Sequence, residues 1–133
     1  MAHFIEHMAF KGTSRRDALT IAKELDTLGG LSNAFTSREA TCFHIRVMDA
    51  HLARAFDILS DLVLNPLIDP EELGREQAVI LQEISMVEET PEEKIHEDFW
   101  AAAWAEPALA HPITGTPASV AAVTAKALAD WRY

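Results

Sequence analysis

Apolar residues recur every three to four positions along most of this chain, which is the spacing of one buried face of an α-helix. The pattern predicts helices over residues 3–10, 15–28, 49–64, 69–89, 91–104 and 118–131. Ser14, Asp49 and Asp69 are expected to cap three of these helices, because a short polar side chain can accept hydrogen bonds from the first N–H groups. In the helix after Asp49 we expect a buried face made of Leu52, Ala55, Phe56, Leu59, Leu62 and Val63.

A different period, of two residues, runs through 41–48 and predicts a β-strand. One face carries Thr41, Phe43, Ile45 and Val47, and the other carries Cys42, His44, Arg46 and Met48. Residues 32–37 are expected to form the preceding strand, joined to it through Arg38 and Glu39. The fold class is therefore predicted to be α+β, with antiparallel strands packed against several helices.

Length and composition narrow the classes of protein that fit. A chain of 133 residues is long enough for one domain with one core. Its formal charge of −10 argues against nucleic acid as the main partner, because phosphates favour a basic surface. No apolar run approaches the ~18–20 residues of a membrane span, and the single cysteine, Cys42, excludes an internal disulfide.

A candidate metal-binding motif lies near the start of the sequence, in His3-Phe4-Ile5-Glu6-His7. On a helix the two imidazoles lie on one face about one turn apart, where both can bind one Zn²⁺ ion. The carboxylate of Glu6 can reach the open side of that ion and accept a proton from bound water. The pattern is the inverted form of the common zinc-protease motif.

A third metal ligand has to come from elsewhere in the chain. Glu76 and Glu83 are seven residues apart, share one helix face and flank an apolar stretch, so their carboxylates need a partner. The spacing alone does not decide which of them is the ligand. The remaining candidates are more typical of buried or surface residues, and they are Cys42, His44, His51, His96 and His111.

Three blocks of this sequence together resemble the pitrilysin/insulinase family of zinc peptidases. They run from His3 to Thr13, from Asn33 to Glu39 and from Arg75 to Ile84. The similarity spans nearly the whole chain and is closest to the mitochondrial processing peptidase β-subunit and to bacterial processing proteases. The fold it implies is part of the metallohydrolase domain that these peptidases share with S-ribosylhomocysteine lyase.

The resemblance assigns a role to each matched position. His3, His7 and Glu83 match the zinc ligands of the family, and Glu6 matches its catalytic base. Glu76 matches a glutamate that orients a ligand histidine. The substrate strand of the family matches Asn33, Ala34 and Phe35. The implied function is a zinc-dependent endopeptidase that processes peptides, presequences or unfolded proteins.

Against the family pattern, residues 1–133 match only part of the N-terminal catalytic domain, so we expect a fragment. The opening strands and the whole second half are absent from it. We therefore expect a marginally stable, weakly active piece whose partner is the second half or a homologous subunit. Bacterial relatives imply the cytoplasm, with the mitochondrial matrix or the periplasm as alternatives.

Two other functions compete with the peptidase. A non-catalytic partner subunit of the same fold would usually lack the motif residues, and all five are present here. S-ribosylhomocysteine lyase also uses the inverted motif, but its third ligand is a cysteine far downstream. The single cysteine of this chain, Cys42, lies instead in the predicted strand.

Overall fold

The computed structural model describes residues 1–104 and 107–132. The helices in this part of the chain are α1 Ala2–Ala9, α2 Ala18–Thr27, α3 Leu52–Leu64, α4 Pro70–Glu89, α5 Pro91–Ala103, α6 Pro107–Ala110, α7 Pro117–Ala121 and α8 Ala125–Arg132. The strands are β1 Leu31–Thr36 and β2 Thr41–Arg46. This mixture of helices with an antiparallel sheet confirms the predicted α+β class.

The strands β1 and β2 form an antiparallel hairpin in which Asn33 lies opposite His44 and Ala34 opposite Phe43. The alternation predicted for the second strand is confirmed, because Phe43 and Ile45 are half-buried while His44 is exposed. Within the described residues the sheet has two strands, so one edge of β1 is left without a strand partner.

Two apolar clusters hold the helices in place. The first joins α1 to α4 and to the last two helices, through Phe4, Met8, Leu73, Ile80, Ile84, Val120 and Leu128. The second joins α2 to α3, through Ile21, Leu28, Ala55, Ile58 and Leu62. Because Phe4 and Met8 alternate along α1 with His3 and His7, burying the apolar pair sets the histidine pair beside α4.

The prediction that Ser14 caps the second helix was wrong. The helix begins at Ala18, and Asp17 is its cap, accepting a hydrogen bond from the Thr20 N–H at 2.7 Å. A turn occupies the preceding residues, since the Thr13 hydroxyl accepts from the Arg16 N–H at 3.0 Å and the Thr13 N–H donates to the Arg16 carbonyl at 2.7 Å. This turn directs the Arg16 side chain inward and delays the helix.

The buried face predicted for α3 was also wrong in part. Leu52 and Phe56 are exposed, at 66% and 68%, and Val63 is 42% exposed. The fully buried positions include Ile58 and Asp61. The ion pair with Arg16 holds the Asp61 carboxylate on the buried side of α3, and Leu52 and Phe56 lie on the opposite, exposed side.

Two further predicted helices differ from the structure, one in where it begins and one in being divided in two. A 3₁₀ turn occupies Asp49–His51, where the Asp49 carboxylate accepts from the next N–H, and α3 begins only after it. The single helix predicted over 118–131 is instead α7 and α8. The Gln77 side-chain amide donates to the carbonyls of Val120 and Val123, both at 3.1 Å, and so takes acceptors that a continuous helix would use.

Among the helices of residues 1–104 and 107–132, none is both long enough and apolar enough to cross a lipid bilayer.

Candidate metal centre

Three side-chain donor atoms, two from α1 and one from α4, lie close together where these helices pack against each other. The Nε2 atoms of His3 and His7 lie 3.2 Å apart. The Oε2 atom of Glu83 lies 3.6 Å from each of them. Within residues 1–104 and 107–132, this is the one set of three histidine, cysteine or acidic side chains arranged so that they could hold a metal ion.

Helical spacing explains this convergence. His3 and His7 are one turn apart on α1, and their rings meet edge to face with centroids 4.6 Å apart. On α4, Glu76 and Glu83 are two turns apart and face the same side. The shared core of α1 and α4 places the two faces against each other, so one histidine pair meets two carboxylates.

The donor set fits a zinc ion. Zinc binds imidazole nitrogen and carboxylate oxygen at about 2.0–2.2 Å, and the corners of such a tetrahedron lie roughly 3.4 Å apart. The separations of 3.2 and 3.6 Å between these donors match that edge without movement of either helix. Burial lowers the pKa of His3, and the neighbouring His7 lowers it further, which favours the neutral imidazole that a metal requires.

Glu76 is not one of the three converging donors, and it contacts the other ring nitrogen of His7 instead. Its Oε2 atom lies 2.8 Å from His7 Nδ1, and its Oε1 atom lies 2.6 Å from Lys11 Nζ. Burial by itself would raise the pKa of this carboxyl, but the contacts with Lys11 and His7 outweigh it and the pKa is lowered. An ionised Glu76 only accepts hydrogen bonds, so a neutral His7 beside it has its proton on Nδ1 and an unprotonated Nε2 that could bind a metal ion.

The carboxylate of Glu6 is held from the sheet side. The hydroxyl of Thr36, the last residue of β1, donates a hydrogen bond to Glu6 Oε2. Thr36 Oγ1 in turn lies 3.0 Å from the hydroxyl of Thr41, the first residue of β2. Residues at the end of the hairpin therefore hold the side chain of Glu6, the residue that the sequence motif predicts to be the base.

A shallow groove of about 240 Å³ runs between α1 and β1. It is lined by Glu6, His7, Phe10, Lys11, Asn33, Ala34 and Glu76. Phe35, the third residue expected to bind substrate, is not among the residues that line this groove, and its side chain is 52% exposed.

The backbone of Ala34 shows how the free edge of β1 is satisfied. Its N–H donates to the Asn33 side-chain oxygen at 2.9 Å. In an antiparallel pair every second residue points its N–H and C=O away from the partner strand. We infer that Ala34 points its N–H toward the edge of the sheet, where the Asn33 amide stands in for a backbone acceptor.

Three contacts at this centre were not singled out from the sequence. Lys11, Thr36 and Thr41 all lie in or beside the matched blocks, yet no role was assigned to them. For Lys11 the available signal was its position four residues after His7, on the same helical face. For Thr36 and Thr41 no local signal existed, because their contacts depend on the pairing of the hairpin with α1.

The other candidate ligands lie outside the converging set. Cys42 sits opposite Phe35 in the hairpin, and His44 is an exposed strand residue opposite Asn33. Neither belongs to a group of metal-binding donors within the described part of the chain. The geometry thus gives no support to the alternative in which a cysteine supplies the third ligand.

Comparisons with known proteins bear on the class of protein. The family model described as insulinase, peptidase family M16, matches residues 1–117. An uncharacterized zinc protease of Bacillus subtilis is 38% identical over all 133 residues, which are 32% of its own length. Another from Streptomyces coelicolor is 41% identical over 123 residues, 92% of this chain and 27% of that protein.

Solved structures show the same fold. A protease from Helicobacter pylori superposes with a TM-score of 0.92 at 23% identity, covering 98% of this chain and 32% of that one. An inactive M16 domain from Pseudomonas fluorescens superposes with a TM-score of 0.80 at 19% identity, covering 93% of this chain and 31% of that one. The chain belongs to the insulinase family, peptidase family M16. It spans about a third of the length of these relatives.

Proposed function

We propose that this chain carries the metal centre of a zinc-dependent endopeptidase. The observation that carries the proposal is the convergence of His3 Nε2, His7 Nε2 and Glu83 Oε2 within 3.6 Å of one another. Relatives named as zinc proteases support the choice of metal and of reaction class.

In this proposal His3, His7 and Glu83 would hold the zinc ion. When bound, zinc would polarise the scissile carbonyl and lower the pKa of its water. Glu6 would serve as the base, accepting a proton from the attacking water on its carboxylate and delivering it to the leaving amine. Thr36 holds the Glu6 carboxylate in place, and Glu76 keeps the proton of His7 on Nδ1.

The substrate would be an extended peptide that pairs with the edge of β1. Asn33, Ala34 and Phe35 lie on this strand, and main-chain hydrogen bonds of this kind supply affinity without reading the side chains. A peptide carbonyl would replace the Asn33 side chain as the acceptor for the Ala34 N–H. The groove beside Ala34 includes Glu6 and His7, so the bound backbone would run past the base.

The proposal also covers the domain to which this chain belongs, its partner and its compartment. We take residues 1–133 as part of an N-terminal catalytic domain that works with a second half or a homologous subunit on peptides or unfolded proteins. By itself the chain is expected to be weakly active, since exposed apolar residues such as Phe56 and Leu52 are left uncovered. The bacterial relatives favour the bacterial cytoplasm as its compartment.

A substitution at the base tests the reaction. In the protein as its gene encodes it, Glu6→Gln is expected to bind zinc as tightly as the wild type and to lose at least about a hundredfold in peptide hydrolysis. Glu39→Gln, at an exposed position beyond the end of β1, is the matched control and should change neither. Hydrolysis retained by zinc-loaded Glu6→Gln would contradict this role for Glu6.

The same measurement separates the peptidase from a non-catalytic partner. The likeness to an inactive M16 domain shows that this fold does not by itself imply cleavage. If the wild-type protein binds zinc but cleaves no peptide in a broad library, alone or with its partner half, the non-catalytic function replaces the one proposed.

A further inference from the structure

Lys11 places its ammonium group on a buried carboxylate behind the metal centre. Its Nζ atom lies 2.6 Å from Glu76 Oε1, while the other oxygen of the same carboxylate lies 2.8 Å from His7 Nδ1. Glu76 is only 5% exposed, and the Lys11 side chain is 31% exposed. Lys11 is neither a metal donor nor a base, so the proposed reaction leaves this contact without a role.

The backbone around Lys11 is held on both sides. Its N–H donates to the carbonyl of Met8 at 3.1 Å, which extends the last turn of α1. The next residue, Gly12, has φ +140°, and its carbonyl accepts from the Leu67 N–H at 2.9 Å. Lys11 thus follows His7 by four residues in a turn with fixed ends, so both side chains reach the same carboxylate.

The two contacts of the Glu76 carboxylate, with Lys11 and with His7, fix its orientation, which a single contact would not do. The last torsion of a glutamate side chain is broad, so a carboxylate held through a single oxygen can rotate about its own axis. Binding Oε1 to Lys11 fixes the plane of the Glu76 carboxylate and directs Oε2 at His7 Nδ1. A fixed acceptor at Nδ1 sets both the tautomer and the ring orientation of His7.

We propose that Lys11 is a positioning residue for the zinc centre, acting through Glu76 to hold His7 with Nδ1 protonated and Nε2 directed at the other two ligands. The inference rests on the proposed zinc site and extends it to a cation on its outer side. A merely structural lysine, which only balances the buried charge of Glu76, would leave the tautomer of His7 unaffected.

Zinc affinity, measured by competition with a chelator in the protein as its gene encodes it, gives the first test. Loss of outer partners of a ligand histidine typically weakens metal binding 10–100-fold, so about tenfold weaker binding is expected for Lys11→Met. Lys11→Arg should recover most of the loss, because a guanidinium can donate to the same oxygen. Lys23→Met removes an exposed lysine of α2 with the same change in charge and should bind as the wild type does.

A double-mutant cycle shows whether Lys11 acts through Glu76. Glu76→Ala alone should weaken zinc binding, and Lys11→Met added to it should produce no further loss, because both oxygens of the shared carboxylate are already gone. Equal losses in both backgrounds would overturn the inference, and so would Lys11→Met with wild-type affinity.

The tautomer of His7 in the metal-free protein gives a second readout that needs neither zinc nor activity. Long-range ¹H–¹⁵N spectra should report mainly Nδ1–H in the wild type and a mixture of tautomers in Lys11→Met. An unchanged tautomer in Lys11→Met overturns the role of Lys11, even if the wild type binds zinc. A wild type that binds no zinc contradicts the proposed function, whereas the spectra still decide what Lys11 does.

Discussion

The Thr36 hydroxyl in β1 donates a hydrogen bond to the Glu6 carboxylate in α1, across 30 positions of sequence. A threonine hydroxyl has one proton, and Thr36 gives it to Glu6, so Thr41 is the donor in the 3.0 Å contact between the two hydroxyls. Both threonines belong to the end of the hairpin, which means that the sheet, and not only the helix, sets the position of the proposed base.

Removal of this hydroxyl should slow hydrolysis without affecting the metal. In Thr36→Val the shape is kept but the donor is lost, and we expect kcat to fall about tenfold to a hundredfold, since small misplacements of a reacting group have effects of that size. KM and zinc affinity should stay at wild-type values. Thr36→Ser restores the hydroxyl and should restore kcat; a Thr36→Val protein with wild-type kcat would show that the contact is incidental.

The third ligand can be tested by metal content. Glu83→Ala removes one of the three converging donors, and zinc affinity should fall by more than the 10–100-fold typical of outer partners. Glu89→Ala, at an exposed position of the same helix, is the control and should keep its zinc. Cys42→Ser should also keep it, and a loss of zinc in Cys42→Ser instead of Glu83→Ala would favour the cysteine-ligand alternative.

The edge of β1 offers a test of substrate binding that leaves the metal centre untouched. Ala34→Pro deletes the N–H that now donates to the Asn33 side chain, at an edge-strand position where proline is tolerated. One hydrogen bond is worth about 0.5–1.5 kcal/mol net, so KM for a peptide should rise roughly two- to tenfold. Ala34→Val keeps the N–H and serves as the control, and an unchanged KM in Ala34→Pro would place the substrate elsewhere.

Local signals in the sequence predicted the elements that they alone determine. Asp69 and Pro70 indicated the start of α4, and Asp69 does accept from the N–H groups of Glu71 and Glu72 at 2.8 and 3.0 Å. The prediction that Ser14 is a helix cap was wrong because a turn at Thr13 competes with it. That turn depends on a long-range contact with Asp61, which no local sequence pattern indicates. A helix start was therefore predictable where no tertiary contact competes with the local cap.

For the candidate metal site, too, the sequence pattern predicted some features and not others. Helical spacing predicted that His3 and His7 share a face, and that Glu76 and Glu83 share another. It did not predict which carboxylate meets which histidine, and that choice came from the family resemblance. The distances now separate them, with Glu83 facing both Nε2 atoms at 3.6 Å and Glu76 contacting His7 Nδ1 at 2.8 Å.

The buried ion pair between Asp61 of α3 and Arg16 makes the stability of the fold depend on pH. Asp61 is 1% exposed and accepts from Arg16 at 2.5 Å, from Thr13 at 2.7 Å and from Asn65 at 3.0 Å. Burial alone would raise the pKa of Asp61, but these hydrogen bonds outweigh it and lower the pKa from 3.8 to about 2. The folded state therefore binds this proton less readily than the unfolded chain does.

The sign of the effect follows from that difference. A carboxyl whose pKa is depressed by folding contributes stability at pH values above its unfolded pKa and loses it as the pH falls toward the folded value. Between about pH 4 and pH 2, Asp61 should account for roughly 2 kcal/mol of lost unfolding free energy. In Asp61→Asn this part of the pH dependence should disappear.

Asp61→Asn should also be less stable at neutral pH, by about 3 kcal/mol, the low end for breaking a buried pair. The low end applies because Arg16 keeps Glu24 at 2.8 Å and Asp57 as further partners. Asp130→Asn, which removes an exposed carboxylate of α8, should stay within about 0.5 kcal/mol of the wild type and keep its pH dependence. Unfolding curves at pH 7, 4 and 2 for the three proteins decide the matter, and equal pH slopes for Asp61→Asn and the wild type would mean that Asp61 is not the group that titrates.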